Sequence, residues 1–305
     1  MRSVLIGSVQ SSRVVLEELI AVGDPPELVF SLDEQYSENV SGYCPIHQIA
    51  AEHDIPYRKF RKISDAAYVE EIVRLQPDYI FVVGLSQLVD QRIISAAKLG
   101  VVGLHPTPLP KFRGRAAMVW QMLLDVRESA VSLFLIDEGV DSGPLLGQEP
   151  YFIGENDYAT DMERNCLQAL RVLCQRVLPQ MRDGTIKPVP QNDAEATYLL
   201  KRGPEDGMID WGLPIRDIHR LIRAVSMPYP GAFSHYDGKQ LVTFWRAEIE
   251  ENSRYIGIPG QIAEKDDTSF AVVCKDGLLR ITEYSCDEPL RLLVGHRFRS
   301  KGEIR

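Results

Sequence analysis

Continuous apolar runs alternate with amphipathic stretches over the first half of the chain. Residues 3–7 (SVLIG) form a short apolar run, and residues 11–22 carry apolar positions at helical spacing before Gly23. The pattern then predicts a strand over 28–31, a helix over 45–53 with a proline at a favourable early position, and a helix over 65–75. A buried-type strand follows over 78–83 (DYIFVV), then a helix over 91–98 and a strand over 101–104. Further on, a helix is expected over 116–124, a strand over 131–136 and a long amphipathic helix over 157–178 that Pro179 should stop. Strands alternating with helices predict an α/β fold with a Rossmann-like, mostly parallel sheet. Ligands of such sheets sit beyond the carboxyl ends of the strands. From Gly231 the period changes to short β-type runs separated by turn residues, which predicts a smaller β-rich, barrel-like C-terminal domain. Residues 185–205 hold three prolines and little periodicity. The expected organisation is a first domain over 1–190, a linker over 191–205 and a β-rich domain over 206–305.

Composition narrows the function classes. The chain has 305 residues, 45% hydrophobic and 25% charged, with a net charge of −9 at pH 7. The whole deficit lies in residues 1–200, because residues 201–305 carry 16 basic and 16 acidic side chains. That balance argues against a protein built to grip nucleic-acid phosphates, although it does not forbid a tRNA held by a local patch. Five cysteines without a CxxC argue against a disulfide framework or a four-cysteine zinc site, and the histidines show neither HxH nor HExxH spacing. No metal is expected. No stretch approaches the ~18 apolar residues of a membrane span, and the N-terminal apolar run is too short for a secretory signal. The expectation is a soluble, cytoplasmic protein without membrane partners.

Chemistry concentrates in residues 100–148. A strand delivers His105 to a loop stiffened by Pro106, Pro108 and Pro110, followed by Arg113, Gly114 and Arg115. A second strand ends in DEGVDSG (137–143), a tight loop with two glycines. A histidine and a carboxylate at the ends of two strands can meet as a general base and its orienter. Taken alone, such a histidine is more often structural than catalytic. Arg113 and Arg115 read either as structural ion pairs or as contacts to a substrate phosphate or carboxylate. Trp211 reads as core, with base or sugar stacking as the lesser alternative.

HPTPLPKFRG (105–114) and DEGVDSG resemble the formyltransferase family that uses N10-formyltetrahydrofolate. Its members carry Asn-x-His-Pro, a proline-ended loop, Arg-Gly, and then Asp-x-Gly-x-Asp-x-Gly. GLSQL (84–88), EDGMIDW (205–211) and RAVSMPYPGAF (223–233) extend the resemblance over nearly the whole chain. It implies an N-formyltransferase with His105 taking a proton from the acceptor amine and Asp141 orienting it. It further implies N10-formyltetrahydrofolate as co-substrate, held by Leu85, Ser86, Gln87, Leu88, Glu138, Gly139, Val140 and Asp141. Arg113, Arg115 and Thr107 are the implied acceptor contacts. One position departs from the pattern: the family asparagine, which donates to the developing oxyanion, is Gly103 here. Losing such a donor costs ~10²–10³ in rate. The departure leaves three readings. A neighbour (Gln87 first, or Ser86 or Thr107) or a water supplies the donor, the enzyme is slow or altered, or the chain only binds folate. Among acceptors the resemblance favours a nucleotide-linked amino sugar, closest to the UDP-4-amino-4-deoxy-L-arabinose type. Methionyl-tRNA is the alternative, and an amino-acid side chain such as hydroxyornithine stays open.

Overall fold

The computed structural model describes residues 1–85, 87, 89–250 and 254–303. Chain contacts divide it into two compact units. The first comprises Met1–Ala117, Glu128–Phe152 and Arg164–Leu199; the second comprises Met118–Arg127, Ile153–Glu163 and Leu200–Arg305.

The first unit is built on a seven-stranded sheet. Its strands are β1 (Ser3–Gly7), β2 (Leu28–Leu32), β3 (Tyr57–Phe60), β4 (Tyr79–Val83), β5 (Gly100–His105), β7 (Glu128–Leu135) and β8 (Leu145–Phe152). Their order is β3-β2-β1-β4-β5-β7-β8. The first five run parallel, while β7 is antiparallel to both β5 and β8. Helices α1 (Gln10–Ala21), α2 (Ile46–Glu52), α3 (Ala66–Leu75) and α4 (Gln91–Ala96) make the connections. Strands β1 and β2 are buried at every position and mostly apolar because both faces are covered. Val4, Ile6, Phe30, Ile80 and Val101 form one face and pack on Val69 and Ile72 of α3 and Ile93 of α4, all of them buried. Each such side chain contributes roughly 1.5–3 kcal/mol by leaving water.

Three features differ from the sequence expectation. Helix α6 (Ala159–Arg182) contains Pro179 rather than stopping before it. The proline forfeits one backbone bond, yet the chain continues because Asp183 N–H still donates to the Pro179 carbonyl (3.0 Å). Strand β8 has no clear apolar alternation, and it is fixed by its long register with β7 instead. Lastly, residues 189–199 are built into the first unit. Val189 bridges Leu145, and β9 (Tyr198–Leu199) pairs in parallel with β6 (Arg113–Gly114).

The second unit holds α5 (Ala117–Leu123) from Met118 onward, α7 (Ile215–Val225) and a six-stranded sheet. Its strands are β10 (Ala232–Tyr236), β11 (Gln240–Glu250), β12 (Ile262–Lys265), β13 (Phe270–Val273), β14 (Leu278–Ser285) and β15 (Phe298–Arg299), in the order β12-β13-β14-β11-β10-β15. The sheet curls until its two ends meet. Phe298 N–H donates to Gly260 O and Ile262 N–H to His296 O, each at 2.8 Å. Inside the curl Trp211 is fully buried, edge-on to Phe244 with centroids 5.6 Å apart, its indole N–H donating to Ser234 Oγ at 3.3 Å. Trp211 is therefore core. Among the described residues no helix is long and apolar enough to cross a membrane.

His219 on α7 is buried against the Ala247 carbonyl (Nε2 to O, 3.0 Å). Burial, with Arg223 nearby, holds its pKa down at about 4. The unfolded chain thus binds a proton that the folded chain refuses between about pH 6.5 and 4. Its contribution is complete above about pH 6.5, falls as pH drops toward 4, and amounts to at most about 3 kcal/mol. His219→Gln, which keeps a donor but does not titrate, should flatten the fall in unfolding free energy between pH 7 and 4.5. Denaturant melts at both pH values measure it.

Candidate active site

Two loops meet at the carboxyl end of β5. His105 is the last residue of that strand and is 6% exposed. Asp141 lies in the loop between β7 and β8, in a left-handed conformation (φ 48°) that aspartate tolerates better than most residues. The loop is shaped by Asp137, whose Oδ1 accepts from Gly139 N–H (3.0 Å) and Ser142 Oγ (2.8 Å). A Cβ on Gly143 would sit 1.7 Å from the Leu135 carbonyl oxygen, so only glycine lets the chain leave β7 this way.

The imidazole is engaged from both sides. Nε2 lies 2.8 Å from the Phe112 carbonyl oxygen, an acceptor without a proton, so Nε2 carries the hydrogen. Nδ1 faces Asp141 Oδ2 at 3.6 Å. In the neutral ring Nδ1 is therefore a lone pair beside a carboxylate, set to receive a proton and to be stabilised by Asp141 once it has. The same Oδ2 accepts from Gly114 N–H at 2.8 Å. Phe112 itself is left-handed (φ 62°), costly for a bulky residue at roughly 1–3 kcal/mol.

Polar side chains from neighbouring strands peg the proline loop. Ser132 Oγ donates to Thr107 O (2.6 Å), Gln148 Nε2 to Leu109 O (2.8 Å) and Tyr151 OH to Pro106 O (2.9 Å). Thr107 is fully buried, and its hydroxyl donates to Lys111 O at 2.9 Å. Arg113 is 1% exposed and turns inward. Its guanidinium donates to Gln191 Oε1 (2.8 Å from Nη2), Asp193 (2.8 Å) and Tyr198 OH (3.2 Å). Arg115 is exposed, with its backbone N–H on Leu199 O (3.2 Å).

Of the residues implied for folate, Glu138, Gly139 and Val140 form the exposed rim of the Asp141 loop, and Leu85 is half-buried after β4. Gln87 spans the backbone of the segment before α3. Its Nε2 donates to Arg61 O (2.7 Å) and its Oε1 accepts from Ile63 N–H (3.0 Å). Ser86 and Leu88 lie outside the described residues.

Gly103 pairs with Phe134 across β5 and β7. A Cβ at Gly103 would stand 2.8 Å from the Phe134 ring and 3.0 Å from Ile136 Cγ1. The volume into which a side chain at 103 would project is thus occupied by an aromatic ring. Sequence reading passed over Phe134, Phe112, Gln191 and Thr197. Only the pairing of a glycine on one strand with a large ring on its neighbour could have flagged any of them.

Residues 24–178 match the family described as Formyl transferase, and residues 201–289 match Formyl transferase, C-terminal domain. The chain belongs to the formyl transferase family. Among solved structures it is similar to HypX from Aquifex aeolicus in complex with tetrahydrofolic acid, at 20% identity and TM-score 0.70. That match covers 94% of this chain but 45% of HypX, so the chain spans under half of that protein's length. An N-formyltransferase from Helicobacter canadensis, solved with folinic acid and dTDP-3-aminofucose, matches at 18% identity and TM-score 0.65 over 93% of this chain and 99% of its own. Methionyl-tRNA formyltransferase from Clostridium thermocellum matches at 16% identity and TM-score 0.63 over 95% and 100%. Among the described residues no group of three His, Cys, Asp or Glu side chains is placed to hold a metal.

The Gly103–Phe134 fit yields a prediction. Gly103→Ala should destabilise the first unit by about 1–3 kcal/mol through overpacking. Paired with Phe134→Leu it should cost less than the sum of the two single changes, because the contact that is violated is shared. Denaturation midpoints of the four proteins check this. Strict additivity would remove Phe134 as the reason for the glycine.

Proposed function

We propose that this enzyme transfers the formyl group of N10-formyltetrahydrofolate to the amine of a small nucleotide-linked amino sugar. The observation that carries the reading is the His105–Asp141 pair, with the Nε2 proton committed to Phe112 and Nδ1 open toward the carboxylate. The acceptor amine attacks the formyl carbon, and the new C–N bond forms as the carbonyl π pair moves onto oxygen. His105 Nδ1 takes the ammonium proton, and the resulting imidazolium is balanced by Asp141. Collapse of the tetrahedral adduct breaks the bond to folate N10, and the proton passes to that nitrogen, leaving tetrahydrofolate and a formamide.

The rim at Glu138–Asp141 and Leu85 is the proposed folate side, and Arg115 is the surface cation proposed to meet a substrate phosphate. Thr107 and Arg113 support this site from beneath. A nucleotide-linked sugar needs one or two such cations. A tRNA needs a broad basic surface, which residues 1–200 with a net charge of −9 and residues 201–305 with a net charge of zero do not supply. The second-domain motifs EDGMIDW and RAVSMPYPGAF favour the amino-sugar class as well. Gly103 leaves the oxyanion without a side-chain donor from β5, so turnover is expected ~10²–10³ below that of an enzyme with the amide.

The test is tetrahydrofolate release from N10-formyltetrahydrofolate with a panel of nucleotide-linked amino sugars, with methionyl-tRNA and with no amine. Release that depends on an amino sugar is expected. Release only with methionyl-tRNA reassigns the acceptor, and release without amine makes the enzyme a hydrolase. His105→Ala should lower the amine-dependent rate by about 10²–10⁴ while leaving the melting transition in place.

A further inference from the structure

Residues 189–199 cross both loops of the site. Gln191 is the point of crossing. Its Nε2 donates to the Asp141 carbonyl (2.8 Å) and to the Gly143 carbonyl (2.7 Å), using both of its hydrogens on the turn that carries the carboxylate. Its Oε1 accepts from Arg113 Nε (3.2 Å) and Nη2 (2.8 Å), so swinging the amide away takes the acceptor from the Nε of a buried arginine. Six residues on, Thr197 grips the other loop. Its Oγ1 accepts from Phe112 N–H (2.8 Å) and its carbonyl accepts from Arg113 N–H (2.9 Å). These are the bonds that hold Phe112 left-handed with its carbonyl on His105 Nε2.

We propose that the 189–199 segment is a strap that sets the His105–Asp141 pair, with Gln191 and Thr197 as its two positioning residues. Gln191 acts on Asp141, and hence on the Nδ1 side of the ring. Thr197 acts on Phe112, and hence on the Nε2 side. Neither touches the reacting atoms. The proposal rests on reading His105 and Asp141 as the acid–base pair.

The two sides can be told apart in one ring. Protein labelled with ¹⁵N-histidine gives separate imidazole resonances, and His105 among the six histidines is assigned by its loss in His105→Asn. Gln191→Glu keeps the acceptor for Arg113 but has no hydrogen for the two carbonyls. It should move the Nδ1 resonance of His105 and leave the other five histidines in place. Thr197→Val should move the Nε2 resonance, and Thr197→Ser, which keeps the hydroxyl, should restore it. Where Gln191→Glu fails to fold, Gln191→Met gives the same removal with an uncharged side chain. Unmoved His105 resonances in a folded variant overturn the role of that residue. So does movement of all six histidines together, which reports general loosening. The spectra are taken on the free enzyme and therefore decide the strap even if no acceptor is formylated. In an active enzyme, Gln191→Glu should lower kcat about tenfold or more with KM for the folate within twofold. An unchanged kcat also overturns it.

Discussion

The bond from His105 Nε2–H to the Phe112 carbonyl decides what the site can do. An imidazole has two nitrogens, and a base needs one of them bare. The fold assigns the proton to Nε2 by offering it an oxygen that has none, and Nδ1 is thereby left bare beside Asp141. The arrangement depends on Phe112 staying in a conformation that a phenylalanine avoids. Ala116 is left-handed too, while Gly114 takes its positive φ without strain. What holds the turn is a ring of polar pegs from β7, β8 and the 189–199 segment, each a side chain tied to backbone.

The parallel sheet was legible because its central strands are buried and read as short apolar runs, YIFVV above all. Histidine and aspartate at strand ends were legible as candidates, because loops beyond the carboxyl edge are where such folds carry chemistry. The ties that fix those loops leave no such trace. Gln191 and Thr197 sit in a proline-rich stretch without period, and apart from the Gln191–Arg113 contact their side-chain bonds run to backbone atoms that any sequence would provide. Spacing also does not tell where a polar side chain aims. Gln87 and Arg113 both stand next to a motif, and both bond within the chain. Pro179 misled for a related reason. A proline near the end of a long helix removes one bond, and the packing of the preceding turns carries the helix on for another.

Gly103 changes the local packing of β5 as well as the chemistry proposed for the site. Where the resemblance leads one to expect a polar amide, the wall beside His105 is a phenylalanine ring and an isoleucine methylene. Such a wall orders no water and donates no hydrogen bond.

The proposed strap bears on where the first unit can be cut. A fragment ending at residue 190 keeps all seven strands of the large sheet, His105 and Asp141, yet it loses Gln191, Thr197 and β9. Dissection by sheet composition would then keep His105 and Asp141 with their bonds to Phe112 and Gly114 but without those that Gln191 and Thr197 add. Among the described residues the last bond to the turn at Arg113–Arg115 along the chain is at Leu199, whose carbonyl accepts from Arg115 N–H (3.2 Å).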